Sequence, residues 1–257
     1  MFTIRTPIPR TTRLTATALS LAVPLVAWVA LSASKTVPAT FLPSPAAVMS
    51  AGAKMAGSGV LSADLWATFQ RVLFGFGLAV LVSVPLGIVM GSFQIGQAVF
   101  EPVIGLLRYL PASAFIPLLV IWLGLGEPSK IAILFLGTAF FNTLMTADVT
   151  RNVPRSLIDV SYTLGARRGE VLGKVIVPHS LPGIIDAIRV NAAAAWNFVV
   201  VAELINSTAG LGYRIVRAQR FLQTDQIFAV LIVIGVAGLL IDVGLRLLRS
   251  KVGGWAV

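Results

Sequence analysis

"LGARRGEVLGKVIVPHSLPG", residues 164–183, interrupts a chain that is almost continuously apolar on either side. It holds three cationic side chains, four glycines and two prolines. Just upstream, Leu157, Val160 and Leu164 recur at i, i+3 and i+7, the spacing of one face of a short helix. Gly165 follows, where a helix commonly ends. Val171, Leu172, Val175 and Ile176 give a second apolar face, Pro178 stops it, and Pro182 falls in the first turn of the next apolar run. The reading is helix, glycine turn, helix, proline stop. Such a segment is too polar for lipid and too apolar on one face for water, so it belongs at a boundary. Docking against another protein satisfies it. So does an anionic lipid surface, with Arg167, Arg168 and Lys174 as anchors.

Composition supplies the setting. Hydrophobic residues make up 57% of the 257 and charged residues 12%, and mean hydropathy is +0.91. A soluble domain carries about 25% charged residues, so this chain belongs in a bilayer. The net charge of +10 reads as topology-setting Lys and Arg, not as a nucleic-acid surface. With no cysteine and His179 as the one histidine, neither a disulfide framework nor a metal site is expected.

A spanning helix needs about 20 mostly apolar residues. Six runs qualify: 14–33 and about 65–91, 99–124, 129–150, 180–204 and 226–248. The first follows Arg5, Arg10 and Arg13, as in a signal peptide, but it is longer than a signal core of about 7–15 residues and reads as a retained helix. Residues 34–62 are rich in Pro, Ser and Gly and read as an external loop with a short surface helix. With the N-terminus inside, the inner segments hold Arg5, Arg10, Arg13, Arg151, Arg155, Arg167, Arg168, Lys174, Arg246, Arg249 and Lys251. The outer ones hold Lys35, Lys54, Lys130, Arg214, Arg217 and Arg220. This bias puts both termini, and the 151–179 loop, in the cytoplasm. The division is 1–62 for tail, first helix and loop, 63–249 for the core, and 250–257 for a cytoplasmic tail.

"GEVLGK" is not a phosphate loop. That motif needs four residues between its glycines and Ser or Thr after the Lys; here three separate Gly169 from Gly173, and Val175 follows Lys174. If nucleotide drives the protein, another subunit binds it.

"DVSYTLGARRGEVLGKVIVPHSLPG" resembles the EAA loop of ABC importer permeases, the segment that fits a cleft in the ATPase subunit. Asp159, Val160 and Ser161 stand at the Glu-Ala-Ala positions and keep only the acid. Gly165 and Ala166 match, and Val175, Val177 and Pro178 stand at the Ile, Leu and Pro of the pattern's end. "FLPSP" (41–45), "RVLFGFGLAVLVSVPLGIVMG" (71–91), "PLLVIWLGLGEPSKI" (117–131), "AWNFVVVAELI" (195–205) and "GLGY" (210–213) are similar to the nitrate/sulfonate/bicarbonate (taurine-type) branch. In "FFNTLMTAD" (140–148), Asn142 stands where the branch has a proline.

The resemblance, which covers roughly residues 38–249, implies an all-α, six-span type I importer permease in a bacterial inner membrane. It also implies an ATPase-coupling role for Asp159, Gly165, Ala166, Arg167, Arg168 and Pro178. Two permease copies, a homodimer, would form the pathway, and two ATPases would carry ATP and Mg, leaving this chain without a cofactor or catalysis. An extracytoplasmic binding protein would deliver a small anion: nitrate, bicarbonate, taurine or another sulfonate. The rival class is a self-sufficient secondary transporter or channel. A secondary transporter is expected to show paired broken helices in related halves, and no convincing repeat is visible. A membrane enzyme would need a catalytic set that these residues do not supply.

Polar residues inside spans are costly and face protein or water. Arg71 and Glu203, towards the outer ends of spans two and five, are expected to pair, because a lone buried charge is expensive. Asp186 and Arg189, at i and i+3, are expected to pair within their helix. Asn142, Asn191, Trp196 and Asn197 are candidates for the pathway lining, since uncharged donors can touch an ion without trapping it. The alternative for the asparagines is bonding between helices. Gly87 and Gly91 form a small-xxx-small pair, a surface expected to meet a second permease copy.

Overall fold

A computed structural model of the chain describes residues 9–205 and 207–253. Arg5 and the tail residues 254–257 lie outside them. The described chain is helical, without a strand. Helix α1 (Arg10–Ala33) buries none of its residues. One tryptophan fastens it: Trp28 stacks on Phe228 with ring centroids 5.6 Å apart and donates to the Pro43 carbonyl at 2.9 Å. Helix α2 (Pro45–Gly57) starts with Ser44 accepting the Ala47 N–H and proline at N1, a strong start signal. It buries Val48, Ala51 and Met55 at i, i+3 and i+7.

The core is built from α3 (Val60–Ser92), α6 (Glu127–Arg151), α9 (Val177–Ile205) and α11 (Thr224–Val252). Helices α3 and α6 run side by side, and glycines bring them into contact. A Cβ on Gly87 would stand 2.6 Å from the Thr143 carbonyl oxygen, and one on Gly91 2.5 Å from that of Ala147. The Gly87/Gly91 surface expected to meet a second copy is therefore used inside the chain. Helix α9 runs the opposite way along α6. A Cβ on Gly137 would strike the Phe198 ring, and one on Gly183 would strike Val149.

Among the described residues five helices are long and apolar enough to span a bilayer: α1, α3, α6, the continuous Arg168–Ile205 and α11. The expected span over 99–124 is instead bent by 81°. Helix α4 (Gln94–Leu107) gives way at Arg108, and a 3-10 turn, Ala112–Phe115, leads into α5 (Ile116–Leu123). Pro111 has no N–H to continue the ladder and biases Leu110 away from helical angles. Taken as one broken span, the bent pair brings the number to six.

After α6 come α7 (Arg155–Thr163) and α8 (Arg168–Val171), and then a π-helical turn, Leu172–Ile176, feeds into α9. Here the proline stop fails, because Pro178 sits inside the Arg168–Ile205 helix. The π turn explains how. Val177 N–H bonds five residues back, to Leu172 O, and this wider turn relieves the ladder where proline lacks a donor. Pro182 lies inside α9.

Candidate functional site

The glycine turn is built by local chemistry. Helix α7 ends at Thr163, Gly165 adopts φ +83°, its N–H bonds Tyr162 O at 2.9 Å, and the Ala166 N–H reaches back to Ser161 O at 3.0 Å. This pair of bonds is a Schellman cap, which needs a left-handed residue where glycine alone carries no Cβ penalty. Helix α8 then starts with the Glu170 carboxylate accepting the Arg167 N–H at 3.0 Å and bonding Lys174 at 3.0 Å.

The two faces of this hairpin differ. Val153, Val171 and Ile176 form a small buried cluster with Ile158, Ala166 and Leu172, which ties the turn to the root of α9. The Leu157, Val160, Leu164 face looks outward. Val160 is 57% exposed and Leu164 82%. Asp159, Arg167, Arg168 and Pro178 are exposed around it, and a Cβ on Gly165 would meet nothing within 4 Å. An apolar face ringed by charges is thus held rigidly and left uncovered.

At the opposite end of the core, Arg71 Nη1 contacts Glu203 Oε1 at 2.6 Å, with Glu203's side chain fully enclosed. Arg71 also holds Glu127 at 2.6 Å and donates to Ala209 O at 2.8 Å. Glu203 accepts from the Thr68 hydroxyl and from the Gly212 N–H. Lys130 joins Glu127 at 2.9 Å, and Arg214 joins Asp64 at 2.6 Å. This network fastens α10 (Leu211–Arg220) onto α3, α6 and α9. Asp64, Thr68, Glu127, Lys130 and Arg214 were not among the expected partners. One signal was available: Asp64, Thr68 and Arg71 stand at i, i+4 and i+7, a polar stripe in an apolar helix.

The pathway candidates separate into two places. Asn142 and Asn191 are enclosed within the protomer. Asn142 Nδ2 donates to Ser83, while Asn191 Nδ2 reaches Asn142 Oδ1 at 3.3 Å and its own-helix Ala187 O at 3.0 Å. They join α3, α6 and α9. Trp196 and Asn197 border a groove of about 240 Å³ between α9 and α11, where the indole N–H bonds Ile234 O at 2.9 Å. Arg189 and Asp242 border the same groove, 3.4 Å apart. Asp186 has its short contact with Arg249 of α11 at 2.6 Å, against 3.8 Å for Arg189. The expected intrahelical pair is present, and Asp186 adds to it a shorter crosslink from α9 to α11.

The comparisons with known proteins bear on this arrangement of bent spans, core and capped hairpin. Residues 83–254 match the family model described as "Binding-protein-dependent transport system inner membrane component". The chain belongs to that family. It is an all-α, polytopic permease subunit of an ABC transporter. The taurine transport system permease protein TauC of Escherichia coli is 34% identical over 92% of this chain and 88% of its own length. The nitrate import permease protein NrtB of Synechocystis is 28% identical over 75% and 70%. In fold, the chain is like a subunit of the MetNI methionine ABC transporter crystallised in inward-facing conformations. The TM-score is 0.67 at 20% identity, covering 75% of this chain and 96% of that one. The permease is a multi-pass membrane protein of a non-enzymatic family.

Proposed function

We propose that this permease forms, with a second copy of itself, the pathway of an ATP-driven importer for a small anion. A nitrate, bicarbonate, taurine or other sulfonate ion would arrive from an extracytoplasmic binding protein. Two ATPase subunits would dock on the α7–α8 hairpin and supply the chemistry, with ATP and Mg bound on them. The Lys and Arg distribution supports a cytoplasmic hairpin and cytoplasmic termini, and with them an outer position for the Arg71 network.

The carrying observation is the uncovered Leu157, Val160, Leu164 face beside the Gly165 cap. A leucine 82% exposed on a capped, buttressed turn is an apolar surface left uncovered by the described residues, and such surfaces mark interaction sites. Asp159, Arg167 and Arg168 would supply the polar rim, and Pro178 the junction that transmits movement into α9. The taurine and nitrate names of two relatives support an anion. Purifying the tagged chain from its native membranes tests the reading. An associated subunit carrying a Walker motif is expected, and a chain that transports alone after reconstitution overturns it.

A further inference from the structure

In the Arg71 network, three cations and three carboxylates are matched: Arg71, Lys130 and Arg214 against Glu127, Glu203 and Asp64. Arg217 and Arg220, farther along α10, are outside it. Among the described residues neither takes part in a salt bridge. At i and i+3 they share one face of the helix. That face is one wall of a pocket of about 340 Å³, and the end of α9 with Ser207 is the other. Ser207 contributes a buried hydroxyl oxygen without a hydrogen-bond partner. Glu203 borders the pocket too, but its carboxylate is already held by Arg71, Thr68 and Gly212, so it does not cancel the two free guanidinium groups. Ile205, Val216 and Phe221 add apolar wall.

We propose that this pocket is an oxyanion subsite for a small organic sulfonate. The charged head would lie against Arg217, Arg220 and Ser207, and the short apolar part against Ile205, Val216 and Phe221. Guanidinium groups match the oxygens of such a head with paired donors. The concave shape and the enclosed hydroxyl favour a small ligand over a flat protein face, which would not reach Ser207. Both arginines are exposed, so binding is weak and salt-sensitive. Weak, sequential contacts are what passage requires. The inference rests on the reading of the chain as an anion permease and adds where the anion is first held.

The test uses the full-length permease, copurified with its native subunits, in phosphatidylcholine nanodiscs. Radiolabelled ethanesulfonate and sulfate are measured by equilibrium binding. Saturable binding is expected, weakened about tenfold or more in Arg217→Gln/Arg220→Gln. Phe221→Ser should weaken ethanesulfonate more than sulfate. Lys54→Gln, on α2, should change neither. The double variant should melt as the parent does, because it breaks no ion pair. Absent binding, or binding unchanged in the double variant, overturns the subsite. Displacement by phosphatidylglycerol in the nanodisc overturns it in favour of a lipid phosphate. Retained anion binding with lost binding-protein association makes the arginines a docking surface instead. Reconstituted import separates the levels: if the intact assembly imports a sulfonate but the pocket variants bind it normally, only the subsite fails. If no anion is imported, the reading of the chain as an anion permease fails with it.

Discussion

Arg71 and Glu203 are 132 residues apart in sequence and 2.6 Å apart in space. Their contact joins α3 to α9 where the Glu203 side chain has no exposure to solvent. Each charge is tolerated there only because the other is present, together with the Thr68 hydroxyl, the Gly212 N–H and Glu127. Removing one partner leaves an uncompensated buried charge, at a cost of about 3–5 kcal/mol. Arg71→Ala should therefore lower the melting temperature and membrane abundance sharply, and Glu203→Gln somewhat less because its amide keeps a donor and an acceptor. Thermal unfolding of purified variants measures this. Wild-type stability in both would show that the network holds nothing together.

The contact between α3 and α6 makes a different prediction. A methyl group on Gly87 would meet backbone 2.6 Å away, at the Thr143 carbonyl, which cannot swing aside as a side chain can. Gly87→Ala should cost folded protein even in isolated protomers. Gly77, on the same helix, has nothing within 4 Å of its would-be Cβ. Gly77→Ala should be neutral or stabilising by up to about 1 kcal/mol. Size-exclusion profiles and yields of both variants decide the matter. A Gly87→Ala protein that folds normally but loses only its dimer would return this surface to the interface between copies.

Ser83, Asn142 and Asn191 form a buried polar bridge across three helices. Asn142→Ala leaves the enclosed Ser83 hydroxyl without its partner and takes one of the contacts of Asn191, which keeps Ala187 O, at about 1–3 kcal/mol. The expected result is lost thermal stability, with transport per folded molecule retained. If uptake falls while stability is unchanged, Asn142 contacts the solute after all.

Topology can be read by labelling. A cysteine replacing Arg168 should react from the cytoplasmic side alone, and one replacing Ser58 from the outside alone. Labelling of both from one side contradicts the orientation taken from the Lys and Arg bias.

Much of this architecture is legible in the sequence because bilayer length and helical periodicity are local signals. The apolar runs mark α1, α3, α6, α9 and α11, and Gly165 marks the end of α7. What escapes is non-local, or turns on how backbone bonds are redistributed. Pro178 reads as a stop, yet the π turn before it lets the helix run on. The 99–124 run has the length of a span, but its composition does not show that it is broken at Arg108–Pro111. Gly87 and Gly91 announce a close approach without saying to which helix. Arg71 asks for an acid, but the sequence cannot say that it takes two, Glu127 and Glu203, 56 and 132 residues away.

The central claim is that the capped α7–α8 hairpin couples this permease to its ATPases. The most direct test is Gly165→Asp, read as ATPase copurification normalised to permease abundance. Within its own chain a Cβ at this position would meet nothing within 4 Å, so the residue's backbone angle and the docking surface bear the consequences. A non-glycine residue at φ +83° strains the cap by about 1–2 kcal/mol, and a carboxylate there must be desolvated on docking. The account predicts a permease inserted at near-normal abundance that loses its ATPase and its uptake, with Gly165→Ala milder. Full ATPase binding and uptake in Gly165→Asp would contradict it and leave the hairpin as a lipid-surface anchor.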